Sequence, residues 1–93
     1  MSEKKIRNKT ATALQYDKSS SSAPKVVAQG KGHVAKKIEE LAIENEIPIY
    51  QDEKLAQQLE NLSIGDEIPE ALYEVVAEVL VFISKVDNRR SAR

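Results

Sequence analysis

Gly30, Gly32 and Ala35 form a G-x-G-x-x-A motif between a short apolar run and a helical repeat. In that context glycines let backbone amides close on a pyrophosphate at the positive end of a helix. Asp52 and Glu53 follow about 20 residues on, where an acid would meet a ribose. Lys31 and His33 stand beside the turn and could flank an anion. A dinucleotide site also needs a third parallel strand to complete its crevice, and after Tyr50 the sequence offers only helical patterns. A plain strand-to-helix turn is the simpler reading.

Other chemistry is sparse. His33 is the one histidine and there is no cysteine, which removes disulfides, thiolate metal sites and a cysteine nucleophile. A lone histidine at a helix start is a surface or capping residue. Ser19 to Ser22 lack a base at a recognisable spacing, and no G-x-S-x-G occurs. They read as a low-complexity hairpin loop, with phosphorylation the sharper alternative. Glu39 and Glu40 read as helix surface. No catalytic, cofactor or metal site is expected.

The elements that position these residues centre on Pro24–Tyr50. PKVVAQ reads as a strand, GKG as a turn, HVAKKIEELAIENE as a helix and IPIY as a second strand. That unit is expected to be a right-handed crossover joining two parallel strands. Pro48 has no N–H, so it belongs at a strand start or on a sheet edge, and IPIY is not expected to be a long central strand. Ahead of it, TATALQY alternates, with Thr12, Leu14 and Tyr16 on one face; Leu14 and Tyr16 are expected in the core. In the helix Val34, Ile38, Leu41 and Ala42 form an apolar stripe, leaving Ile43 on the far side.

Asp52 is placed to cap a short helix, EKLAQQLEN, whose Leu55, Ala56 and Leu59 share a face. A turn at Gly65 follows, with Ile64 and Ile68 expected to clip it to the body. Pro69 suits a first helical residue, with Glu70 in the first turn. The last helix has a stripe of Leu72, Val75, Val76, Val79, Ile83 and Val86. Tyr73, Ala77 and Leu80 fall beside that stripe, an apolar shoulder open to solvent or a partner.

With 93 residues, 41% hydrophobic and 31% charged, the chain has room for one ordinary globular domain. Its longest apolar run, Val79–Ile83, falls far short of a membrane span, and no apolar region follows Lys4 and Lys5 to direct secretion. The expected organisation is a flexible basic segment over 1–9, one domain over 10–86 and a flexible basic tail over 87–93. Residues 1–9 and 85–93 each carry +3, leaving −7 between them in a chain of net charge −1. Basic ends could touch nucleic acid, anionic lipid or an acidic partner. No aromatics interleave with the arginines to stack on bases, so solvated termini are the simpler reading and no nucleic-acid partner is expected.

Taken together, TALQYD, APKVVAQGKG, IPIYQDEKLAQQL and IGDEIPEALYEVVAEVL strongly resemble the cytoplasmic C-terminal domain of the FlhB/YscU family. Its members are the substrate-specificity switch proteins of flagellar and virulence type III export. The likeness runs from about Thr12 to Val86 with order and spacing kept. It implies an α/β fold bordering on α+β, with a small mixed sheet of three to four strands surrounded by about three helices. It also implies a cytoplasmic place, peripheral at the inner face of the membrane export gate.

Two departures bear on the role. The family's Asn-Pro-Thr-His loop, whose asparagine cyclises and cuts the chain, would fall on Ile6, Arg7, Asn8 and Lys9. The motif is absent, so self-cleavage is not expected. The family's transmembrane helices, linker and the strand before the cleavage loop have no counterpart in this sequence, which looks like the cleaved C-terminal fragment made as a separate product. A missing upstream strand leaves a sheet edge that is either blunted or accepts a strand from elsewhere.

The resemblance therefore implies a non-enzymatic binding module that substitutes for or modulates the switch domain. Its expected partners are export gate proteins or the membrane fragment of a full-length family member, without membrane insertion of its own. Export substrates are a further expectation: the family's apolar patch for them maps onto Ala23, Pro24, Ala77 and Leu80, with Tyr73 on the same shoulder. Ordinary packing of loop against helix is the simpler alternative for those residues. The competing readings are a free-standing regulator and a small anion- or nucleotide-binding domain unrelated to export.

Overall fold

A computed structural model describes residues 9–17, 19 and 22–91, with 86–91 given by backbone alone. The chain order is β1 (Thr10–Gln15), β2 (Lys25–Lys31), α1 (His33–Glu44), α2 (Glu53–Leu59), a 3-10 turn (Glu70–Leu72) and α3 (Tyr73–Ser91). Residues 1–8, and with them most of the basic N-terminal segment, lie outside the described residues.

The mixed α/β class with three helices is as expected, and the sheet within it is narrower and differently wired. β1 and β2 form an antiparallel hairpin, Thr10 opposite Lys31 through Ala13 opposite Ala28. Leu14 then faces Val26, so Val27 is the extra residue of a bulge. Val26 is fully buried and Val27 exposed. Among the described residues the sheet has two strands rather than three or four.

IPIY has no regular secondary structure and joins no ladder, so the parallel crossover does not form. Its backbone is otherwise committed: the Ile47 amide donates to the Ala42 carbonyl at 2.8 Å to close α1, and Pro48 has no amide to give. What flanks the start of β2 is the segment after α2. Val26 donates to the Asp66 carbonyl and accepts from the Gly65 amide, each at 2.8 Å, and Ile68 donates to Pro24 at 2.9 Å. Ile68 is buried as expected, whereas Ile64 is 63% exposed because the turn swings it outward.

The face of the hairpin toward α1 is built from small residues. Alternation puts Ala11, Ala13, Ala28 and Gly30 together, and a Cβ at Gly30 would collide with the Val34 side chain. A flat, small-residue face draws the helix in through its own smallest side chain. Ala35 is fully buried, Ile38 and Ala42 are half-buried, and Val34 and Leu41 lie exposed at the margins. The buried stripe is thus turned by about one residue from the expected one.

On the other side α2 lies against β1. Asp52 caps it, its side chain accepting from the Leu55 amide at 3.1 Å. The core cluster is Leu55, Leu59, Ile68, Leu72 and Val76, with Leu14, Ala23, Val79 and Leu80 packed against it. Tyr16 stands beyond the end of β1 and is exposed. Pro69 is the extended residue ahead of a 3-10 turn rather than the first residue of α3. α3 continues to Ser91, past the expected boundary at Val86.

Candidate functional site

The G-x-G-x-x-A glycines serve the fold. Gly30 lies within β2 and gives Val34 room. Gly32 precedes α1 at φ 59° and ψ −124°, a conformation open to glycine and strained for other residues. A phosphate-binding turn needs free amides, and the Gly32 amide is taken by the Lys9 carbonyl at 2.8 Å. Asp52 is occupied as a helix cap. His33 is exposed, and no group of three or more His, Asp or Glu among the described residues is placed to hold a metal ion.

The five residues expected at a partner patch divide by exposure. Ala23 and Leu80 are half-buried, and each packs on the core cluster. Pro24 is buried. Leu80 follows Val76 by one helical turn, which carries it into the buried stripe rather than onto the shoulder. Tyr73 and Ala77 remain exposed on α3. Of the five positions, Tyr73 and Ala77 alone are exposed to a partner.

β1 presents a different kind of surface. The Lys9–Gly32 bond starts the ladder, and antiparallel pairs alternate, so Ala11–Gly30 and Ala13–Ala28 are the hydrogen-bonded pairs. The amides and carbonyls of Thr10 and Thr12 then point away from β2. Among the described residues none hydrogen-bonds to them. Thr12 Oγ1 accepts a 3.4 Å bond from Gln29 Nε2, which also donates to the Leu59 carbonyl at 2.7 Å, holding β1, β2 and the end of α2 in register. Among the described residues the outer edge of β1 is thus left unpaired while its inner side is tied to β2 and α2.

One apolar surface was not anticipated. Ile43, Ile49, Tyr50 and Phe82 line a shallow depression, with Tyr50 and Phe82 edge to face at 5.6 Å between centroids. Reading IPIY as a strand assigned its side chains to a sheet. Pro48 was the signal that could have exposed them.

Residues 8–83 match the FlhB HrpN YscU SpaS family. The chain is 47% identical over 77 residues to YlqH of Bacillus subtilis, described as uncharacterized, covering 83% of each chain. It is 45% identical over 83 residues to the flagellar biosynthetic protein FlhB of Escherichia coli, covering 88% of this chain and 22% of that one. The crystal structure of the cytoplasmic domain of FlhB from Shewanella putrefaciens superposes with a TM-score of 0.84 at 31% identity, over 98% of this chain and 78% of that one. The chain thus spans about a fifth of the E. coli protein's length. No described helix is long and apolar enough to cross a membrane. The fold is accordingly that of the FlhB domain it superposes on, and the chain belongs to the FlhB HrpN YscU SpaS family.

Proposed function

We propose that this chain is a binding module of the flagellar or type III protein export apparatus, acting at the cytoplasmic face of the export gate. There it stands in for, or modulates, the gate's substrate-specificity switch domain. The open outer edge of β1 carries this reading. Thr10 and Thr12 offer two amides and two carbonyls in register for an incoming strand, the arrangement by which extended segments add to a sheet edge. The membrane-bound remainder of a full-length family member is the proposed source of that strand. With Ile6, Arg7, Asn8 and Lys9 where the cleavage motif would stand, the chain has no self-cutting role; intact mass after prolonged incubation would reveal a break after Asn8.

The test is to mix the purified chain with the membrane fragment of a family member ending at its cleavage asparagine, its own C-terminal piece removed, and to measure association. One-to-one binding is expected. Thr12→Pro should abolish it while keeping the β1–β2 backbone ladder, because the Thr12 amide faces away from β2 and proline is tolerated on an edge; within the fold it forfeits the 3.4 Å bond from Gln29, whose 2.7 Å bond to Leu59 remains. Binding by Thr12→Pro equal to wild type, or no binding by wild type, would sink the proposal.

Export substrates are the second proposed partner, docking at Tyr73 and Ala77 over Ala23, Pro24 and Leu80. Because Leu80 packs on the core, the informative changes are Tyr73→Glu and Ala77→Glu. If both folded variants bind substrate as wild type does, the patch is ruled out.

A further inference from the structure

β1 carries no charged residue and no proline, although edge strands commonly use lysine or proline to turn an incoming strand away. The residue just ahead of it is Lys9, and that lysine is not free. Its Nζ pairs with Glu39 of α1 at 3.1 Å, the one ion pair among the described residues, with 34% and 28% of the two side chains exposed. Alternation places Lys9 on the same side of the strand as Ala11 and Ala13, the side that faces α1.

Lys9 is held a second time through its backbone, where its carbonyl accepts from the Gly32 amide at 2.8 Å. Thr10 opposite Lys31 is the last rung of the hairpin at the end away from its connecting loop, and such ends open first. The two ties on Lys9 therefore fix the place of Thr10, whose amide and carbonyl make up half of the open edge. Gly32 caps α1 and Glu39 lies within it, so the start of β1 is fastened to that helix as well as to β2.

We infer that Lys9 and Glu39 are a positioning pair for strand addition, which holds Thr10 in register and keeps the Lys9 ammonium neutralised beside the incoming strand. This rests on the reading of β1 as an acceptor edge. A strand laid along Thr10 and Thr12 sets its own side chains next to Lys9 and Ala11 on the α1 side. An ammonium without its carboxylate would be stripped of water there and gain no partner, whereas in the free chain it stays solvated. Loss of Glu39 thus weakens association more than it weakens folding.

Three measurements on Glu39→Gln test this: amide exchange in the chain alone, urea unfolding, and association with the membrane fragment. The Gly32 amide should exchange several-fold faster while Ala13 and Ala28 keep their protection. Association should weaken about fivefold and the folding equilibrium change by less than about twofold, the pair being partly exposed. Lys9→Glu combined with Glu39→Lys should restore both Gly32 protection and binding. If wild type binds and Glu39→Gln binds equally well, if Gly32 exchange is unchanged, or if the exchanged pair restores nothing, the inference falls and the acceptor edge stands. Equal losses in folding and in binding would make the pair structural only and overturn it too. A wild type that does not bind brings down the acceptor edge and this inference with it.

Discussion

Glu46→Gly should make this protein more stable. Glu46 is the one described non-glycine residue with positive φ, at 56°, and it occupies the position where helices commonly end on glycine. Its amide donates to Ile43 at 3.2 Å and the Ile47 amide to Ala42 at 2.8 Å, the paired bonds of a Schellman closure. A side chain held in that left-handed region costs roughly 1–2 kcal/mol. Glycine relieves this but gives back roughly 0.5–1 kcal/mol through a freer unfolded chain. Removing a carboxylate from an exposed helix C-terminus adds about 0.3 kcal/mol. The net gain is about 1 kcal/mol, which in a domain of this size raises Tm by roughly 4–8 °C. Thermal and urea unfolding would read it. Glu46→Ala removes the charge and keeps the strain, so it should gain only a few tenths of a kcal/mol. If alanine stabilises as much as glycine, or glycine destabilises, the backbone reasoning is wrong.

Gly30→Ala should destabilise by about 1–3 kcal/mol, the cost of overpacking, because its Cβ meets the Val34 side chain; adding Val34→Ala should restore part of the loss in urea unfolding. Asp52→Ala should cost about 1 kcal/mol through loss of the α2 cap, with no effect on association with the membrane fragment. The Asp17 carboxyl lies below its ordinary value of 3.8 because the Ser19 hydroxyl, and then the Ser19 amide, donate to it. A lowered pKa means that this turn's contribution is complete above the ordinary aspartate range and fades as pH falls through the lowered value. A carboxyl-carbon NMR titration should show Ser19→Ala moving Asp17 back up toward 3.8.

Elements with a local signal were legible in the sequence. Asp52 and the Leu55–Leu59 spacing predict α2 and its cap, and the alternation of TATALQY predicts β1. What misled was tertiary. A continuous strand–turn–helix–strand pattern supports a parallel crossover only if the last run can join a ladder, and Pro48 together with the Ile47 amide bond to α1 prevents that. The largest residues of α1 define its apolar stripe in the sequence, while the seat of Ala11, Ala13, Ala28 and Gly30 selects its smallest. Helical phase alone puts Leu80 beside the α3 stripe, whereas packing carries it inward one turn from buried Val76. A family resemblance implies an uncovered sheet edge without saying which strand carries it, whereas the outward direction of Thr10 and Thr12 follows only from the register.

The central claim is that β1 accepts a strand along that edge. Residue-resolved amide hydrogen exchange of the chain, alone and with the membrane fragment, tests it most directly, since exchange reports whether an amide is hydrogen-bonded. The account predicts that Thr10 and Thr12 exchange freely in the chain alone and become protected in the complex, while Ala11 and Ala13, already paired with β2, change little. Association that leaves Thr10 and Thr12 unprotected would contradict it.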